Sequence, residues 1–227
     1  MTNTNEICLS EPADTVLKDT YAGDFPPVVY GQTLYETEQT VGDVIENVFV
    51  DPDGALYSGV DGRTMKPLRA EDVRDRPHGI GGHAEKAPIP ARRRPVFMTY
   101  EDSLKATGTY LSALLLKFQV TGSDDTLQRA RRSYQALHLL WTNVAEAIPE
   151  ETGWMPKPFA GLHDELSIAV SSVDQYADVT SGLHDFYDAA ATPAERSTIE
   201  RMVLSFANWW HSRDYTTATT GGGIARW

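Results

Sequence analysis

Apolar residues recur at helical spacing through the second half of the chain and lose that order in the first. Leu104, Leu111, Leu114, Leu115 and Phe118 share one side of a 3.6-residue period and predict a helix over 102–120, with Thr99 and Asp102 spaced as a capping pair. Thr121-Gly122-Ser123-Asp124-Asp125 stops that helix and starts another. In the second, Leu127, Ala130, Tyr134, Leu137, Trp141, Val144 and Ile148 advance in steps of three and four until Pro149 ends the pattern. Tyr176, Val179, Leu183, Phe186, Tyr187 and Ala190 predict a third helix over 173–191. Thr192-Pro193-Ala194-Glu195 opens a fourth, because Thr can cap, Pro suits the first turn and Glu can return a bond to the cap. Its buried stripe is Ile199, Met202, Val203, Phe206 and Trp210. Short links after the first and third helices imply two antiparallel αα-hairpins, joined by a long loop over 149–171.

Upstream the signals are weaker. Residues 1–30 carry Pro12, Pro26 and Pro27 without apolar periodicity and predict an extended lead-in. Leu34, Val41, Val44, Ile45 and Val48 are compatible with a helix over 32–48. Asp51-Pro52-Asp53-Gly54 predicts a tight turn, 55–60 a short strand, and 61–95, rich in Gly, Pro, Arg and Asp, a long loop. The expected organisation is therefore a lead-in (1–30), a loop-rich segment (31–99) and a helical part (100–227), in a chain that is mainly α.

Charge narrows the choice of partners. Thirty-two acidic residues against 20 basic ones give a net charge of −12, spread evenly along the 227 residues, which argues against nucleic-acid and anionic-membrane surfaces. A single cysteine, Cys8, excludes an internal disulfide framework and a cysteine-based zinc site. The opening stretch shows neither a signal peptide nor a membrane anchor, so a cytoplasmic location is expected.

Candidate chemistry gathers around the third helix. Asp178, Asp185 and Asp188 follow the polar face opposite the apolar stripe and read as solvated. Asp174 differs, lying in the first turn beside Ser171, Ser172 and Gln175 at the mouth of the long loop. Two readings compete there: a capping box with a carboxylate on the helix dipole, or a chemical group. Trp154 and Phe159 in the loop either stack on a sugar ring or plug the seam between hairpins, and Lys157 could meet an anionic group. His78 and His83 match no strong metal-ligand spacing, and Gly79-Ile80-Gly81-Gly82 lacks the Lys-Ser/Thr ending of a phosphate loop. Arg92-Arg93-Arg94 reads as a solvated linker. No metal or cofactor is expected.

Ser171-Ser172-Val173-Asp174-Gln175-Tyr176, followed by Gly182-Leu183 and Tyr187, resembles the start of an inner helix in the (α/α) toroid, or six-hairpin, glycosidase-like proteins, such as unsaturated glucuronyl and rhamnogalacturonyl hydrolases. Tyr100-Glu101-Asp102-Ser103 before Gly108 and Tyr110-Leu111 resembles a second inner-helix start. The resemblance implies a carbohydrate-active protein in which Asp174 is a general acid or base, with Glu101 or Asp102 as the second carboxylate. Trp154, Phe159, Lys157, Gln175 and Tyr176 would line the subsite for an oligosaccharide or polysaccharide fragment. A closed ring of this type needs six hairpins and two are visible, so the chain is expected to be the N-terminal portion of a partial toroid, and to be marginally stable or to self-associate. The alternative is a non-catalytic helical module that binds carbohydrate or protein.

Overall fold

The computed structural model describes residues 34–67, 102–158, 162, 167–168, 171–218 and 224–226. The expectations for the 1–30 lead-in, Thr99, Glu101, His78, His83, Arg92-Arg93-Arg94 and Phe159 lie outside these residues. The chain is mainly helical and divides into two compact units, one of which includes Leu34–Phe49 and Val60–Pro67. The other includes Val50–Gly59 and all four long helices. In the smaller unit, α1 (Leu34–Val44) passes into a single π-helical turn over Ile45–Phe49, in place of one uninterrupted helix.

The helices of the larger unit follow the apolar stripes within one or two residues: α2 (Ser103–Thr121), α3 (Asp124–Ala147), α4 (Val173–Ala189) and α5 (Pro193–His211). Their ends have visible causes. Gly122 takes the left-handed conformation and returns its N–H to the Phe118 carbonyl, closing α2. Ser123 caps α3 through the Thr126 N–H. At α5 the full capping box forms: the Thr192 hydroxyl accepts from the Glu195 N–H, and the Glu195 carboxylate accepts from the Thr192 N–H at 2.7 Å.

Only two residues link α2 to α3, too few to span a helix of 19 residues, so these helices must run antiparallel. In the second hairpin, Tyr176 near the start of α4 meets Trp209 and Trp210 near the end of α5, while Tyr187 near the end of α4 bonds Glu200. Contacts whose residue numbers rise on one helix as they fall on the other again mean antiparallel. Between hairpins the order reverses. Arg131 of α3 pairs with Glu195 of α5 and Trp141 bonds Ser205, an advance of ten residues on both helices. Lys105 and Gly108 of α2 likewise meet Gln175 and Asp178 of α4. The two hairpins therefore stack side by side with like helices parallel.

Packing is tightest between α2 and α4. A Cβ on Gly108 would stand 2.3 Å from the Asp178 carbonyl oxygen, and one on Gly182 would stand 2.5 Å from that of Gly108, so both positions admit only hydrogen. Leu104, Leu111, Leu115, Leu183 and Phe186 fill the surrounding core at no more than 1% exposure. Each contributes about 1.5–3 kcal/mol on burial. Phe186 stacks on Tyr134 with centroids 4.6 Å apart, and the Arg131 guanidinium ties the α4–α5 link by bonding the Ala190 carbonyl.

Residues 55–60 are not a strand. Val50 and Leu56 form one isolated bridge and Val60 and Pro67 another. The backbone of Leu56 is engaged by α2 instead: its N–H donates to the Thr107 hydroxyl and its carbonyl accepts from Ser103. The preceding turn forms as expected, with Gly54 at φ 101° and the buried Asp51 carboxylate accepting from the N–H groups of Asp53, Ala55 and Leu162. The long loop holds a 3-10 turn (Pro149–Glu151) and a two-residue ladder pairing β1 (Lys157–Pro158) with β2 (Ser167–Ile168). A short hairpin of β3 (Thr216–Ala218) and β4 (Ile224–Arg226) follows α5. No described helix is long and apolar enough to cross a membrane.

Candidate functional site

The parallel stacking of α2 on α4 sets the N-terminal ends of both helices beside each other. Asp102 immediately precedes α2 and is exposed; Asp174 sits in the first turn of α4 with half its side chain exposed. Gln175 joins them. Its side chain is wholly buried, its Nε2 donates to Asp102 Oδ1 at 2.9 Å, and its Oε1 accepts from the Lys105 N–H at 3.0 Å. The amide therefore fixes the Asp102 carboxylate and the start of α2 together, which leaves Gln175 no capping role in α4.

The capping box expected at α4 is absent. Ser172 occupies the cap position without a side-chain cap bond, because its hydroxyl donates to Asp174 Oδ1 at 2.5 Å. Asp174 Oδ2 lies 3.5 Å from the Lys105 ammonium. Partial burial on its own would raise the Asp174 carboxyl. The Ser172 hydroxyl, the Lys105 and Lys157 ammoniums and the Gln175 N–H outweigh it and hold the group below its ordinary value. Asp174 is thus a carboxylate at neutral pH, fit to accept a proton or a hydroxyl hydrogen and unfit to donate one. Lys157, 4% exposed in β1, brings a positive charge to the same place from the long loop.

The other expected site residues divide. Tyr176 is buried at 2% exposure and serves as a clamp on the loop: its hydroxyl donates to the Gly153 carbonyl and accepts from the Met155 N–H, both at 2.9 Å. Its ring packs among Phe206, Trp209 and Trp210. Trp154 is half-buried, and its backbone N–H donates to the Glu151 carbonyl. Asp102, Asp174, Gln175 and Lys157 are brought together; Glu101 and Phe159 lie outside the described residues. Lys105 escaped the sequence reading, since its one signal, three residues after Asp102, is also the spacing of an ordinary helix surface. So did the Glu151 carboxylate, which accepts from Trp209 Nε1 and Arg213 at 2.6 Å and anchors the loop to the C-terminal end of α5.

Among the described residues no group of three or more histidine, cysteine or acidic side chains could hold a metal ion. No protein-family description, curated protein or solved structure matches the chain.

Proposed function

We propose that the ledge formed by the N-terminal ends of α2 and α4 is a carbohydrate site, and that the chain is part of a glycosidase-like protein acting on polysaccharide fragments. The observation that carries this reading is the juxtaposition of Asp102 and Asp174 across the buried Gln175 amide, with Lys105 and Lys157 alongside. Glycoside chemistry needs two carboxyl groups flanking one bond, and an ionised one serves as base or steadies positive charge developing at the sugar carbon. Asp174 fits that role, with Asp102 as its partner. Side-by-side hairpins with parallel like helices are also what a partial (α/α) toroid requires, in agreement with the resemblance of 100–103 and 171–176 to inner-helix starts.

The test is hydrolysis of a panel of oligosaccharides, including 4,5-unsaturated uronides, by the wild type and by Asp174→Asn and Asp102→Asn. Turnover in the wild type should fall about 10²–10⁴-fold in Asp174→Asn, with sugar binding retained. Wild-type binding without turnover removes the enzyme and leaves the second reading, a helical carbohydrate-binding module. The ion pair that already engages Asp174 and the burial of Gln175 and Tyr176 favour that alternative. Neither binding nor turnover removes both.

A further inference from the structure

The chain holds two Asp-Gly steps, Asp53-Gly54 and Asp61-Gly62. At such a step the glycine nitrogen can attack the carboxyl carbon of the preceding side chain, since no Cβ screens it. The fold treats the two steps in opposite ways. In the turn over 51–54, Gly54 is buried at φ 101°, its N–H donates to the Asp51 carbonyl at 3.0 Å, and a Cβ there would stand 2.5 Å from the Arg132 carbonyl carbon. That nitrogen is committed, and the backbone around it has no room to turn. Asp61-Gly62, in the smaller unit, is the reverse case. Gly62, Arg63 and Thr64 are exposed, and nothing lies within 4 Å of where a Gly62 Cβ would be. Asp61 Oδ1 accepts from the Arg63 N–H at 2.9 Å and from the Thr64 N–H at 3.0 Å, which folds the carboxylate back over the turn toward the intervening Gly62 nitrogen. The backbone bonds of this turn run from Met65 N–H to the Asp61 carbonyl and from Asp61 N–H to the Lys66 carbonyl, and among the described residues none uses the Gly62 N–H.

We propose that Asp61-Gly62 is a site of spontaneous conversion to isoaspartate in the folded protein, and that Asp53-Gly54 is protected from it. The Gly62 nitrogen adds to Asp61 Cγ and loses its proton, and the charge that collects on Oδ1 meets two N–H groups already at hydrogen-bond distance. Water leaves as a five-membered succinimide closes. One water then adds back at either ring carbonyl, giving aspartate or an isoaspartyl link, so the net change consumes nothing and leaves the mass unaltered. The isoaspartyl product runs the backbone through the side chain and adds one carbon to a turn closed by the Val60–Pro67 bridge. The same N–H groups, Arg63 first and Thr64 second, hold the Asp61 carboxyl below its ordinary value. Water is lost from the acid form, so the reaction quickens as pH falls toward that value.

The test holds the full chain at mildly acidic pH and body temperature for several weeks, folded or in denaturing urea, before digestion. Both steps lie on one tryptic peptide, residues 19–63, and electron-transfer fragmentation tells an isoaspartyl link from an aspartyl one at each position. In the folded chain isoaspartate should accumulate at 61 at least about tenfold faster than at 53, whereas in urea the two should match within about twofold. Gly62→Ala, in open space and outside the left-handed region, should keep the circular dichroism of the wild type and slow isomerisation at 61 about tenfold. Equal accumulation at 53 and 61 in the folded chain, none at 61, a difference that persists in urea, or a folded Gly62→Ala that isomerises as fast as the wild type overturns the proposal.

Discussion

Tyr176 shows how much one side chain can hold. Its hydroxyl is bonded twice to the backbone of the long loop, at Gly153 and Met155, and its ring sits in an aromatic cluster supplied by α5. Tyr176→Phe keeps the packing and removes both bonds, leaving a buried N–H and a buried carbonyl unpaired. A loss of about 1–3 kcal/mol is expected in urea unfolding. The 149–158 backbone should also exchange its amide hydrogens faster; unchanged exchange there would contradict the clamp. The aromatic was visible in the sequence as part of an apolar stripe, yet its role was not, because the groups it bonds stand more than twenty residues away along the chain. Gln175 was hidden for the same reason: spacing after Ser172 made it a capping residue, while its actual partners are Asp102 and Lys105.

At the scale of elements, local signals carried far and crossing contacts did not. Thr192-Pro193-Ala194-Glu195 specified the start of α5 because both capping bonds form within four residues. Thr192→Ala should cost about 1 kcal/mol in thermal or urea unfolding. Gly108 and Gly182 are ordinary helix positions as far as periodicity goes, and only the approach of α2 to α4 makes them singular. Gly108→Ala improves the intrinsic helix propensity of α2 but drives a methyl into the Asp178 carbonyl. A loss of about 3 kcal/mol or more is expected, and a variant as stable as the wild type would mean the helices can separate. Residues 55–60 failed as a strand for a related reason, since Ser103 and Thr107 took the backbone bonds of Leu56 that a neighbouring strand would have used.

For the whole molecule, the displaced titrations define a window of stability. His138, stacked between Tyr134 and Trp141, is held below the ordinary 6.5 by burial first and the Arg201 charge second. The unfolded chain takes up a proton near pH 6.5 that the folded one refuses, so this contribution is complete above 6.5 and is lost as pH falls through the lower folded value. For Asp174 and Glu195, burial would raise the carboxyl, but hydrogen bonds and nearby cations prevail and hold each below its ordinary value. Their contributions are present above about pH 4.5 and fade below it. Burial raises Tyr134 and Tyr176 above 10.0, so their share is full below that pH and declines as pH rises beyond it. Urea midpoints should therefore be flat between about pH 7 and pH 9.5 and fall on both sides. His138→Gln should remove the shoulder near pH 6; a shoulder identical to the wild type's would assign it to other groups.

The two ties between α3 and α5, Arg131 with Glu195 and Trp141 with Ser205, are ten residues apart on both helices. At 1.5 Å per residue they mark equal lengths of about 15 Å on neighbouring rods. They act as two pegs of a ruler. Adding one residue to α3 between them would lengthen one rod and turn Trp141 by about 100° away from Ser205, whereas adding the same residue to α5 as well would restore both ties. Changes of length in these two helices are thus tolerated only in matched pairs.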